Sequence, residues 1–417
     1  MANRIFGLII ISILLILIDI YIYRAIRSVS WKWKGQKHLS FTYIWWGYTF
    51  LLIAGVFISI FFNIKFLLRS IILVVFFLTF VSKIFILPFL ITDDLRRLMV
   101  WISRKLKRKE STELNKTNAI PRSEFLIKAG TLVAAIPLAS LTYGVVSSAY
   151  DYRVKRKTLY LPNLPKAFDG IKLGQLSDIH SGSFYDRKAV VGGVDMLLKE
   201  KPDMVFFTGD LVNNVASEMY DYQDIFSKVK APLGVFSVLG NHDYGDYHYG
   251  QGPSAAKIKN LADVKQTHKN MGWNLLLNQH RRLKIDGEEI AILGIENWGV
   301  GRFAKYGRMD LAVKDTDDVP VKLLLSHDPS HWRAQVLPEY PQIDAMFSGH
   351  THGMQFGLVT DSFQWSPAQY VYKEWAGHYK EGLQQLYVNV GYGFLGYPGR
   401  VGILPEITIF ELRRGDS

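Results

Sequence analysis

The chain has 417 residues, 49% of them hydrophobic, and no cysteine; a chain of this length divides into more than one unit, and the missing thiol excludes disulfides, thiolate nucleophiles and thiolate metal ligands together. The formal charge of +12 is confined to one part: residues 1–157 carry 23 Lys and Arg against 7 Asp and Glu, the remainder 26 against 30. The second part therefore lacks the cation excess that nonspecific nucleic-acid binding draws on, and no nucleic-acid partner is expected.

Apolar runs over 5–23, 42–62 and 66–91 approach or exceed the about 20 residues that a hydrocarbon core requires, which predicts three transmembrane helices within 1–91. The loop after the first run holds Arg24, Arg27, Lys32, Lys34 and Lys37, the gap after the second only Lys65 and Arg69, and the stretch 92–124 is the most basic of all. Positive loops stay inside, so 24–41 and 92–124 are expected in the cytoplasm. A weaker apolar run, 125–149, interrupted by Lys128 and Pro137, lies within a segment 125–157 that reads as a fourth outward span or a signal-like helix with its linker. Its start, "PRSEFLIKAG", resembles a twin-arginine export signal without the paired arginine, and an amphipathic linker helix at the surface is the alternative. Residues 158–417 are then expected on the outer side of the cytoplasmic membrane.

Beyond 158 the texture changes to short apolar runs, "GIKLGQLS", "DMVFFTG", "GVFSVLG", "IAILGI", "VKLLLSH", "DAMFSG" and "QLYVNVG", parted by helix-length stretches such as "RKAVVGGVDMLLKEK". Strands alternating with helices predict an α/β sandwich whose functional groups lie at strand C-termini. No internal repeat is visible.

Each of five strand ends carries metal-competent or acid–base side chains: Asp178 and His180, then Asp210, then Asn241, His242 and Asp243, then His327, then His350 and His352. Alternate residues of an extended segment share a face, so Asp178-x-His180 can present both side chains to one point. Five of the chain's 11 histidines fall in these blocks.

Asp-x-His, Gly-Asp, Gly-Asn-His-Asp, a His after an apolar strand and Gly-His-x-His, in this order through about 165–412, resemble the calcineurin-like metallophosphoesterases. The approach "LPNLPKAFDGIKLGQLSDIH" and the ending "NVGYGFLGYPGRVGILPEITIFEL" resemble their membrane-anchored bacterial branch, with relatives of the UDP-2,3-diacylglucosamine hydrolase kind. The resemblance implies an α/β four-layer α-β-β-α sandwich preceded by an all-α transmembrane region. It also implies two divalent metal ions (Mn, Fe, Zn or Co), one on Asp178, His180, Asp210 and His352, the other on Asp210, Asn241, His327 and His350, with Asp210 as the bridge. Two cations about 3.5 to 4 Å apart repel, and a shared carboxylate eases that repulsion while imidazoles complete the shells without charge. A solvent oxygen shared by the ions has a lowered pKa and can attack phosphorus in line as hydroxide. The resemblance makes His242 the group that stabilises or protonates the leaving oxygen, with Asp243 orienting its ring. Glycines at 209, 240 and 349 are expected to let the backbone turn and leave room near the metals. Met354 departs from the pattern, standing where a second glycine often follows Gly353.

Aromatic residues near these blocks, Tyr244, Tyr247, Tyr249, Trp298, Phe303, Tyr306, Trp365, Tyr370, Tyr372, Trp375 and Tyr379, read either as packing or as an apolar rim near a bilayer. The expected function is a membrane-anchored phosphohydrolase acting on a phosphate ester or pyrophosphate of a phosphorylated small-molecule or lipid substrate. The alternatives are a phosphodiesterase or nucleotide-sugar-lipid pyrophosphatase, and, in another class, a catalytically silent membrane sensor with a structural metal site.

Overall fold

The computed structural model describes residues 2–29, 36–62, 64, 66–106, 122–301, 303–360 and 363–415. Two compact units divide the chain, 1–143 and 144–417.

In the first unit, α1 (Ala2–Val29), α2 (Gln36–Phe61), α3 (Phe66–Leu106) and α4 (Arg122–Tyr143) are apolar over most of their length. Among the described residues, four stretches, Ile9–Ser28, Leu39–Phe61, Ile71–Ser103 and Ser123–Ser148, are long and apolar enough to cross a bilayer. Where the sequence reading starts a basic loop at 92, the helix continues to Leu106. Asp93 meets Arg96 at 2.8 Å and Arg97 at 2.7 Å, one turn onward, and such pairs support a helix instead of ending it. The remainder of that stretch, 107–121, lies outside the described residues, as do Lys32, Lys34 and Lys65. One ion pair lies deep among the helices: Asp19 is fully buried, 2.5 Å from Lys83 Nζ, and accepts the Thr49 hydroxyl at 2.5 Å. Pairing of this kind is what an ionisable group in apolar surroundings requires.

The second unit is built on two six-stranded sheets. One orders β1 (Arg153–Leu161), β14 (Glu406–Arg414), β2 (Lys172–Leu176), β3 (Met204–Phe207), β4 (Val235–Ser237) and β5 (Asn274–Leu275); the other orders β12 (Gly377–Glu381), β13 (Gln384–Val388), β9 (Ala345–Ser348), β8 (Lys322–Leu325), β7 (Glu288–Gly294) and β6 (Gln279–Ile285). The β2–β5 and β7–β9–β13 ladders are parallel. The seven apolar runs of the sequence are β2, β3, β4, β7, β8, β9 and β13. A small antiparallel pair, β10 (Leu358–Val359) with β11 (Gln364–Trp365), stands apart from both sheets.

Strand alternation sets the layers. Met204 and Phe206 of one sheet face Leu323, Leu325 and Phe347 of the other, with the Phe206 and Phe347 rings 5.1 Å apart. Their neighbours Val205 and Phe207 pack outward on α5 (Arg187–Lys199) and on the helix Ala255–Met271, whereas Leu324 and Met346 pack outward on Trp332 and Val336. Burial on both faces explains why the parallel strands are continuously apolar. The result is the four-layer α-β-β-α sandwich, preceded by apolar helices.

Candidate metal centre

The candidate side chains all follow C-terminal ends of parallel strands: Asp178 and His180 after β2, Asp210 after β3, Asn241 after β4, His327 after β8, His350 and His352 after β9. Five of them, Asp178, His180, Asp210, His350 and His352, hold φ between +48° and +74°. Left-handed backbone is unfavourable for residues with side chains, on the order of 1 to 3 kcal/mol each, and here hydrogen bonds between loops enforce it. Asp178 N donates to Gly209 O at 2.9 Å, His180 N to Asp210 O at 3.1 Å, and Gly349 N to His327 O at 2.9 Å.

Two groups of donors result, Asp178–His180–His352 and Asp210–His327–His350, each with its ligand-type atoms within 4.8 Å of one another. His180 Nε2 lies 3.1 Å from His352 Nε2, and His327 Nε2 lies 3.2 Å from His350 Nδ1. Asp210 Oδ2 sits between the groups, 3.2 Å from His327 Nε2 and 3.5 Å from His180 Nε2, while Oδ1 accepts His242 N at 2.9 Å. Asn241 donates its amide to the Tyr247 hydroxyl at 3.0 Å, and its Oδ1 is buried without a hydrogen-bond partner. Buried polar atoms are normally paired, so this unpartnered oxygen, on the loop that Asp243 ties to that of Asp210, fits a cation ligand, as do the converging imidazole nitrogens and the carboxylate between them. The N and O donor set suits first-row divalent metals.

Neighbouring groups orient these donors. His327 Nδ1 meets the Thr208 carbonyl at 2.7 Å, which places a proton there and points Nε2 into the site. His350 Nε2 is 2.7 Å from the Tyr372 hydroxyl and 3.6 Å from Asp328 Oδ2, itself buried without a hydrogen-bond partner. Burial opposes a charge on His327, but the Asp210 carboxylate lifts it to about 10. Burial dominates at His180 and pulls it down to about 3. Asp178, also buried, is nonetheless held well below the usual carboxylate range by His352.

His242 is half-buried, its Nδ1 2.7 Å from the Asn213 carbonyl and its ring edge-on to His180 at 5.0 Å. Asp243 corrects the sequence reading, because it does not hold that ring. Its carboxylate accepts four backbone amides, Gly240 at 2.9 Å, Asp210 at 3.0 Å, Leu211 at 2.8 Å and Val212 at 3.2 Å, and so ties the loop after β3 to the loop after β4. Room for that approach comes from glycine: a Cβ on Gly240 would overlap the Asp210 carboxylate, and one on Gly349 the Asp178 carboxylate.

The aromatic residues divide between packing and contact with the site. Tyr244 and Trp375 are buried, Tyr370 and Tyr247 exposed, and Tyr372 touches His350. Met354 occupies φ +48°, the conformation for which glycine is suited. Asp328 and Arg400 were missed from sequence. Arg400 is fully buried, bonded to the carbonyls of Val390, Gly391 and Ile403, and 3.3 Å from His352 Nδ1. The only signal for Asp328 was its place directly after His327.

A two-sheet sandwich with this donor set at its strand ends defines a metallophosphoesterase. Residues 171–354 match the calcineurin-like phosphoesterase family, and residues 3–149 match the probable calcineurin-like phosphoesterase transmembrane domain; the second unit thus carries a phosphoester-hydrolase domain of that family and the first the membrane region that accompanies it. The uncharacterized metallophosphoesterase YkuE of Bacillus subtilis (strain 168) is 28% identical over 292 residues, 68% of this chain and 94% of that one. A transmembrane protein with metallophosphoesterase domain from Danio rerio is 28% identical over 295 residues, and the match spans 68% of this chain but only 63% of that relative. The UDP-2,3-diacylglucosamine pyrophosphatase LpxG of Chlamydia trachomatis serovar D is 28% identical over 240 residues, 48% of this chain and 70% of LpxG.

Proposed function

We propose that this protein is a membrane-anchored phosphohydrolase that holds two divalent cations and cleaves a phosphate ester or pyrophosphate of a lipid-linked substrate. The observation that carries the reading is Asp210 Oδ2 placed between two His-rich donor groups.

Asp178, His180, Asp210 and His352 would hold one ion, and Asp210, Asn241, His327 and His350 the other. Such ions supply Lewis acidity toward phosphoryl oxygens and lower the pKa of coordinated water. The chain's own residues do the rest. His242, anchored through Nδ1 to Asn213 O, keeps Nε2 for the leaving oxygen and donates a proton there. Asp243 fixes the loops of Asp210 and Asn241, and Tyr372 and Asp328 set the plane of the His350 ring. Preset positions of this kind lower the reorganisation that a reaction demands.

The similarity to LpxG supports a lipid pyrophosphate as the bond cleaved, since that relative is named for one. The basic residues Arg24, Arg27 and Lys37 after the first span, with Arg96 and Arg97 late in α3, support cytoplasmic ends there and, with a fourth span, a phosphoesterase unit on the outer side of the membrane. Panels of aryl phosphate monoesters, diesters and lipid pyrophosphates, offered to the full chain in nanodiscs, test the bond type. Turnover of the lipid pyrophosphate above the others is expected; turnover of diesters alone would replace this substrate class.

A further inference from the structure

The segment after His352 has a surface character unlike the rest of its unit. Of 17 exposed large hydrophobic side chains among the described residues of 144–417, seven fall within the 18 residues 354–371. Met354, Phe356, Leu358, Val359, Phe363 and Val371 are between 36% and 65% exposed, and Gly353–Tyr372 contains one charged residue, Asp361. Exposed apolar side chains gathered this densely along one segment mark an interaction site in a folded protein. Met354 adds a second observation. It keeps a left-handed backbone that glycine would adopt at no cost, and presents a 45% exposed apolar side chain; strain held in place beside a site points to use.

What covers this surface follows from its neighbours. Four residues, 149–152, separate the end of the apolar stretch Ser123–Ser148 from the start of β1 at Arg153, a tether of at most roughly 15 Å at about 3.5 Å per residue. The turn at its end, Gly144–Ser148, is bonded to the segment that also carries the base of the β10–β11 pair. Arg400 N donates to Gly144 O at 3.2 Å, Val401 N to Gln355 O at 2.8 Å, and Gly357 N to Val401 O at 2.9 Å. The exposed pair thus springs from beside the point where the apolar stretch enters the unit, immediately after the donor His352. The lack of cations argues for apolar insertion over attraction to anionic headgroups.

We propose that the β10–β11 pair with Met354 and Val371 is a membrane-inserting wedge that seats the mouth of the metal centre on the lipid leaflet, so that substrate reaches it from the bilayer. The substrate part rests on the phosphohydrolase reading; the insertion part does not. The absence of native cysteine makes a single label unique. Full-length Leu358→Cys carrying an environment-sensitive dye, in nanodiscs, is expected to show blue-shifted emission quenched by nitroxide lipids. The same dye on Leu383→Cys, 65% exposed in the turn between β12 and β13, is expected to show neither. Equal iodide accessibility at both positions would overturn insertion, as would protection that appears in detergent only when protein concentration rises, which would mark a second copy. For the substrate part, Leu358→Asp/Phe363→Asp is expected to lower turnover of a vesicle-embedded lipid pyrophosphate at least about tenfold while leaving a soluble aryl phosphate unchanged. Equal loss on both substrates, or on neither, would refute it, and wild-type silence on every substrate would sink the hydrolase reading while leaving the dye result to decide insertion.

Discussion

Gly209→Ala is a sharp test of how the donors are held, because the packing around that glycine sets its cost. Gly209 has φ +99°, and a Cβ there would lie 2.7 Å from Gly240 N and 2.8 Å from His327 Nδ1. Ordinary contact begins near 3.4 Å, so backbone and ring must retreat by about 0.7 and 0.6 Å. Gly240 N cannot move freely, since it donates to Asp243, and His327 Nδ1 is bonded to Thr208 O. The left-handed backbone adds on the order of 1 to 3 kcal/mol and the overpacking about as much, so we expect a destabilisation of roughly 3 kcal/mol. Displacing a reacting geometry by about 1 Å costs about a hundredfold in rate, and the shift here falls on the elements carrying Asp210, Asn241 and His327. Urea denaturation with kcat on an aryl phosphate measures both effects, and Gly192→Ala is the control, a helical site in α5 with no atom within 4 Å that is expected to gain about 0.5 to 1 kcal/mol. Activity of Gly209→Ala within about threefold of wild type, against the hundredfold expected from misplacement, would refute the reasoning.

Two further outcomes are expected. Asp243→Ala strips the acceptor from four buried amides, for a loss on the order of 3 to 5 kcal/mol; Asp243→Asn loses less and leaves the shape of the pH–rate profile unchanged, whereas a profile displaced by a pH unit with stability intact would restore Asp243 as a partner of His242. His268, enclosed beside Phe207 and Trp273, is drawn by burial down to about 3 from 6.5. The unfolded chain therefore binds a proton below pH 6.5 that the folded unit refuses, so this group costs nothing above that pH and about 1.4 kcal/mol per pH unit as pH falls toward 3. His268→Gln is expected to flatten that acid limb in urea titrations between pH 6.5 and 4; an unchanged slope would contradict it.

Donor positions were legible because the residues that meet at the site sit in short blocks at strand ends, where one glycine and one apolar run announce the turn. The seven strands buried on both faces were legible for the same local reason. Partnerships between distant segments were not. Asp243 bonds amides more than 30 residues earlier in the chain, and nothing beside it in the sequence marks them. β1 and β14 pair Arg153 with Glu406 across most of the unit, and the alternation of β1 is blurred by charges such as Lys155 and Lys157 that an edge strand tolerates. In the sequence the charges after 92 read as a loop and end α3 early, whereas Asp93 pairs with both Arg96 and Arg97 along the helix.

The most direct measurement is hydrolysis by the full chain in nanodiscs after metal stripping and readdition of Mn, Zn or Fe, beside Asp210→Asn under the same conditions. The account predicts turnover restored by metal in the native chain, two ions bound per chain, and loss of activity with weakened metal binding in Asp210→Asn. Full activity in Asp210→Asn, or metal bound with no phosphate ester or pyrophosphate cleaved, would contradict it.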